Sequence, residues 1–194
     1  MNYIYFYQNF TLYTLHFTLY TLHFTLYTLH STLNMKPALK EKIDAAKANR
    51  KAINKFLGKL EKRPPKNLDD TFHELHDRAF EKIDCLDCAN CCKTTSPIFY
   101  DKDVERMAAH FKLKPAQFFD EYLKVDEDGD QVLKSSPCPF LLEDNKCMAY
   151  DSRPKACREF PHTNRKRMHQ ILDITAKNTR LCPAVAEVVR NMMK

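Results

Sequence analysis

The chain has 194 residues with 31 Lys and Arg, 25 Asp and Glu, eight Cys, no Trp and only two glycines, Gly58 and Gly129. Glycines this sparse exclude a P-loop or a dinucleotide-binding turn, both of which need several close together so that backbone N–H groups can approach a phosphate. The eight cysteines are too dilute for a small disulfide scaffold and too clustered for ordinary buried thiols, so the chemistry is sought among them.

Residues 1–34 carry no formal charge and contain Phe-Thr-Leu-Tyr-Thr-Leu-His three times over residues 10–30 without a change. Stacked structural repeats diverge, because each copy meets different neighbours and the terminal copies must cap. The identity points to a translated DNA repeat, a mis-assigned start or a disordered tail, with Met35 as the working start of the folded chain. His16, His23 and His30 are set aside with it. The stretch is too rich in Thr and His for a membrane span and has no basic leader for export, so neither a membrane nor a secreted location is expected.

From Met35 onward 160 residues remain, enough for one domain. Lys36 to Lys66 holds eleven Lys or Arg against three acids, a charge of +8 that leaves −2 for residues 67–194. Leu39, Ile43, Ile53, Phe56, Leu57 and Leu60 fall near helical spacing on this basic run, and Arg63-Pro64-Pro65 ends it. Residues 35–67 therefore read as a basic amphipathic helical arm docking one apolar stripe. It lacks the interleaved aromatics of a nucleic-acid reader, and such binding is not expected of it.

A second helix follows, with Asp69 or Asp70 as its N-cap and Leu68, Phe72, Leu75, Ala79, Phe80 and Ile83 along one face. Beyond the cysteine cluster, Asp101 caps a helix through Val104, Met107 and Phe111, and Pro115 opens another carrying Phe118, Phe119 and Tyr122. Asp128-Gly129 reads as the turn of a short β-hairpin, with a further turn at Glu143-Asp144-Asn145-Lys146. Pro154 and Pro183 open helices near Lys155–Glu159 and Ala184–Met193. The expected fold is a small, mainly helical domain over 68–194 with a short hairpin, organised around a cysteine-rich metal site.

Cys85, Cys88, Cys91 and Cys92 lie within eight residues, and Cys138, Cys147, Cys157 and Cys182 follow at wide intervals. A two-residue gap lets successive thiolates converge on one centre, whereas adjacent side chains leave the backbone in different directions, so Cys91 and Cys92 do not serve one ion equally. Four disulfides are disfavoured without an export signal. Metal ligation is the reading that uses the spacing. Zinc suits four thiolates, and eight suit two sites or one site with spare groups. Iron–sulfur is equally arguable: Cys-x2-Cys-x2-Cys matches the first three ligands of the ferredoxin run, and Cys138 and Cys182 are each followed by proline, although residue 95, where a fourth cysteine belongs, is Thr.

The segments Cys85-x2-Cys88-x2-Cys91-Cys92, Cys138-Pro139-Phe140-Leu141, Cys147, Tyr150-Asp151-x-Arg153-Pro154-x2-Cys157-Arg158-x-Phe160-Pro161 and Cys182-Pro183 together resemble the YkgJ-type cysteine-cluster family over about residues 70–190. The resemblance implies a cytoplasmic bacterial protein that chelates zinc or iron through all eight cysteines. Similar clusters occur in flagellin lysine N-methylases, which are much longer chains, so a redox or protein-modifying component is the alternative to a non-catalytic chelating, storage or accessory role. A protein partner beyond the metal ion stays open.

Arg153 and Arg158 are candidates to face the sulfurs and offset their charge, or else to pair with acids such as Asp151 or Glu159. His162 is the best non-cysteine ligand candidate; His73 and His76, three apart, lack the spacing of a zinc-protease helix. Asp126-Glu127-Asp128-Gly129-Asp130 resembles a calcium loop, but Lys124 and Ser135 stand where acids are required, and it reads as a turn. Neither a zinc-deaminase signature nor a Cys/His hydrolase arrangement is developed, and no catalytic residue is assigned.

Overall fold

A computed structural model describes residues 35–194, so the heptapeptide repeat and its three histidines lie outside the described residues. The basic run forms two helices, α1 (Pro37–Ala48) and α2 (Arg50–Lys62), broken at Asn49, whose side-chain Nδ2 donates to Ala45 O at 3.1 Å. Each helix buries a narrow stripe, Leu39, Ile43 and Ala46 on α1 and Ile53 and Leu57 on α2, and exposes its lysines apart from the half-buried Lys42, which pairs with Glu187 at 2.6 Å. α3 (Leu68–Phe80) buries Leu68, Phe72 and Ala79. Near the C-terminus a 3-10 turn (Met168–Ile171) leads into α8 (Leu172–Asn178), and Pro183 opens α9 (Pro183–Met192). α9 is apolar over most of its surface and packs against α1 and α3, while α2 packs against α8.

The remaining elements form a second core. α5 (Asp101–His110), α6 (Pro115–Tyr122) and the antiparallel pair β1 (Leu123–Val125) and β2 (Gln131–Leu133) enclose Phe99, Met107, Phe118, Leu123 and Phe140. The hairpin register sets Leu123 opposite Leu133 and Val125 opposite Gln131. Phe111, Phe118 and Phe140 stack with centroids 5.1 to 6.2 Å apart. The two cores belong to one compact unit, Pro37–Lys194. Two short pieces join them: residues 81–100, holding α4 (Asn90–Thr94), and residues 134–167, holding α7 (Lys155–Glu159). Seven of the eight cysteines lie on these two pieces, and the eighth, Cys182, immediately precedes α9.

The described residues are thus mainly helical with a two-stranded antiparallel hairpin, as the sequence implies. Two caps differ from expectation. Asn67, not Asp69 or Asp70, precedes α3, and the Asp69 carboxylate instead accepts the backbone N–H groups of Arg167 at 2.6 Å and Met168 at 2.8 Å. It caps the 3-10 turn almost a hundred residues away, because a carboxylate is better satisfied by two amides from an otherwise uncapped segment than by its own helix. At α5 the cap position is Tyr100, and Asp101 is the first helical residue, its Oδ1 accepting from Gln131 Nε2 at 2.9 Å. The Tyr100 N–H is taken by Asp103 Oδ2 at 3.2 Å. The Asp126 loop is the expected turn, with Asp126 Oδ1 accepting from the N–H groups of Asp128 and Asp130.

Candidate metal centre

After α3 the chain turns through a 3-10 turn (Cys85–Asp87), which Asp84 caps by accepting the Leu86 N–H at 2.9 Å. Ala89 then adopts a left-handed conformation with φ of 46°, which reverses the chain between Cys88 and α4. An alanine there costs about 1–2 kcal/mol relative to ordinary backbone, so the sharp wrap of Cys85, Cys88 and Cys91 around one region is retained against a local preference. α4 carries Cys91 and Cys92, whose Sγ atoms are 4.0 Å apart.

Hydrogen bonds to backbone carbonyls bring the distant cysteines to this turn. Asn90 Nδ2 donates to Leu181 O at 2.8 Å, fastening the residue before Cys182 to the residue before Cys91. The Cys138 N–H donates to Cys92 O at 2.8 Å, and Ser136 Oγ donates to Lys93 O at 2.9 Å. An antiparallel bridge between Leu141 and Cys147 folds the following turn back, so Cys147 returns beside Cys138. Cys157 sits on α7, which is positioned by Asp103. That carboxylate, almost fully buried on α5, pairs with Arg106 and accepts the Lys155 N–H at 3.0 Å. Arg106 in turn donates to Ser152 O at 3.1 Å and Arg153 O at 2.9 Å.

All eight cysteines are unbridged thiols; Cys88 is buried, Cys85 exposed and the other six half-buried. Burial pushes Cys138 up to about 11 and Cys182 up to about 12. Burial together with the charges of Cys92, Cys138 and Cys147 raises Cys157 to about 12. Cys85, Cys88 and Cys147 are raised in the same way, first by loss of water. The hydrogen bond between Cys91 and Cys92 raises the Cys91 pKa and lowers that of Cys92.

The opposing influences are built into the backbone. The N–H of Asn90 faces Cys88, those of Phe140 and Leu141 face Cys138, that of Ala149 faces Cys147, and those of Ala184 and Val185, at the start of α9, face Cys182. Amide donors aimed at sulfur favour the thiolate, yet here they do not overcome burial and mutual repulsion. A cation would supply the missing compensation: four thiolates around a divalent ion leave a charge of about −2, against −4 without it. The donor set therefore fits a thiophilic metal chemically. Among the described residues no three Cys, His, Asp or Glu side chains stand in a ready ion-holding arrangement.

Lys93 lies near Cys88 and Cys92, with its Nζ donating to Cys88 O at 3.3 Å. Arg153 lies within electrostatic reach of Cys85, Cys147 and Cys157; its guanidinium stacks over Tyr150 at 3.7 Å from the ring centroid and donates to Tyr150 O at 2.6 Å. Arg158 donates to Arg153 O at 3.1 Å and thus braces the segment carrying Arg153. His162 stands edge-on to Phe160 with centroids 6.3 Å apart, and burial lowers its pKa. His73 bonds Arg165 O at 2.9 Å and His76 bonds Thr163 Oγ1 at 2.7 Å, so both tie α3 to the 163–165 loop. Sequence reasoning did not find Asp103 and Asn90, which position the thiol-bearing segments: nothing local marks an aspartate or asparagine whose partners lie 52 and 91 residues away.

Among the described residues no helix is long and apolar enough to cross a membrane. Residues 84–183 match the CxxCxxCC family, described as a "putative zinc- or iron-chelating domain". No solved structure matches the chain.

Proposed function

Since the chain belongs to the CxxCxxCC family, we propose that it binds zinc or iron through Cys85, Cys88, Cys91, Cys92, Cys138, Cys147, Cys157 and Cys182, as a non-catalytic chelating, storage or accessory protein. The observation that carries this reading is that all eight thiols are unbridged and that hydrogen bonds tie the segments carrying Cys138 and Cys182 to the Cys85–Cys92 turn. The backbone N–H groups that face four of the thiols favour the thiolate over the thiol. The protein's part is to gather the sulfurs and screen their charge with Lys93 and Arg153. The metal contributes the positive charge that lets several thiolates coexist.

A second reading is favoured by one feature. Cys85-x2-Cys88-x2-Cys91 with a remote Cys182-Pro183 has the form of a ferredoxin ligand set, which supports an iron–sulfur cluster with a redox role or a part in protein modification. X-ray absorption on protein isolated without oxygen or chelators tests both. A sulfur-only shell near about 2.3 Å on zinc supports chelation, iron with a short iron–iron distance supports the cluster, and a shell of nitrogen and oxygen alone contradicts both.

A further inference from the structure

Resting on that reading, we infer that the eight cysteines divide into two four-thiol sites that meet at the Cys91–Cys92 peptide: Cys85, Cys88, Cys91 and Cys182 form one, and Cys92, Cys138, Cys147 and Cys157 the other. Spacing alone leaves every grouping of eight into two fours open, and the hydrogen bonds nearest the cysteines favour this one.

Cys85, Cys88 and Cys91 are wrapped together by the left-handed turn at Ala89. Cys182 is fastened to that side next to Cys91, through Asn90 Nδ2 to Leu181 O at 2.8 Å, while the turn before Cys147 touches it only at Leu86, whose carbonyl accepts from Asn145 Nδ2. Cys92, the next residue on α4, is joined on its other side to Cys138 by the backbone bond of 2.8 Å. The Leu141–Cys147 bridge and the bond from the Met148 N–H to Phe140 O at 2.9 Å keep Cys147 with Cys138. Asp103 holds the start of α7, and hence Cys157, to the same core. Adjacent helical residues point about 100° apart, so a vicinal pair is suited to serving two neighbouring centres.

Lys93 and Arg153 each reach thiols of both sets, so neither site is deprived of a screening cation. The first site is tied to the helical core through α9 and the second to the aromatic core through Cys138 and Cys147, so filling them would brace the two cores against each other.

The test is anaerobic titration of the reduced full chain with Co2+, followed by thiol alkylation and mass spectrometry. Two equivalents are expected, with thiolate-to-cobalt absorption reaching its plateau at the second. Cys182→Ser and Cys157→Ser should each keep one equivalent, a twofold loss. The protected thiols should be Cys92, Cys138, Cys147 and Cys157 in Cys182→Ser, and Cys85, Cys88, Cys91 and Cys182 in Cys157→Ser. The wild-type chain gives a readout independent of how the variants fold: in its singly loaded form, resolved by top-down fragmentation, the four protected thiols of a molecule should all come from one set. Protected fours that mix the sets, or loss of both ions from a variant that keeps its helical circular dichroism, overturn the division while leaving metal binding intact. Absence of any Co2+ binding by the wild type overturns the metal-binding reading itself.

Discussion

Replacing Asp103 with Asn should weaken the fold and the second thiol group together. The Asp103 carboxylate is 2% exposed and serves three partners: the Arg106 guanidinium, the Tyr100 N–H at 3.2 Å and the Lys155 N–H at 3.0 Å. Asparagine keeps one acceptor oxygen and no charge, so the ion pair and at least one charge-assisted amide bond are lost. Breaking a fully buried pair from one side costs about 3–5 kcal/mol; because the Arg106 side chain is 31% exposed and can rehydrate, about 2–3 kcal/mol is the better figure. For a unit of this size each kcal/mol shifts the melting midpoint by about 2–4 °C, giving a drop of roughly 4–12 °C by calorimetry. Burial alone would raise the Asp103 pKa, but Arg106 and the Tyr100 and Lys155 amides hold it below the ordinary 3.8. Its contribution is therefore present above about pH 4 and lost as the pH falls further, and the gap between wild type and variant should narrow there. Lys155 begins the helix carrying Cys157, so alkylation of Cys157 in the metal-loaded variant should also accelerate. A midpoint within 2 °C of wild type at pH 7, with Cys157 equally protected, would refute the assignment of Asp103 as the anchor of α7.

Three other expectations are quantitative. Adding a strong chelator to metal-loaded protein should lower the melting midpoint by about 8–16 °C, the equivalent of roughly 4 kcal/mol of binding at a thousandfold excess over Kd; a midpoint indifferent to chelator and to added zinc or iron would contradict coupling of metal to fold. Asp69→Ala removes the carboxylate that takes the Arg167 and Met168 amides, and should cost about 1–2 kcal/mol in urea unfolding at pH 7. A variant as stable as wild type would deny that capping role. Burial would raise Glu187, but hydrogen bonds from Lys42, Arg190 and Asn191 hold it at about 2. The α1–α9 link should thus be intact above pH 4.5 and fade as the pH approaches 2. Glu187→Gln should cost about 1–2 kcal/mol at neutral pH and flatten that acid limb, and an unchanged limb would show that the link is energetically idle.

The local features of this chain were legible in its sequence and the non-local ones were not. Pro115 and Pro183 open helices because their fixed φ and missing N–H suit a first turn, and Asp128-Gly129 marks the hairpin because Gly129 takes a φ of 84°. The apolar stripes of residues 36–62 were readable from spacing, although the break at Asn49 was not, since the apolar pattern does not change there. The 3-10 turn at Met168 and α8 were missed: each is too short to establish a period, and Leu172, Thr175 and Ala176 alone do not distinguish a buried helix from a strand. The same limit applies at the site. Residue type and the Cys-x2-Cys gaps single out the sulfurs, whereas the company each keeps depends on Asn90 reaching Leu181 and Cys138 reaching Cys92, contacts that leave no mark in the local sequence. Ala89 is the plainest instance: a left-handed alanine is invisible until the turn it makes is seen.

That these thiols hold a metal is tested by elemental analysis of protein isolated under nitrogen without chelators, with reactive thiols counted on the same sample before and after denaturation. Metal binding predicts zinc or iron in simple stoichiometry with the chain and few thiols reactive until the fold is lost. Protein free of both metals, with all eight thiols reacting at once in the native state, would contradict it.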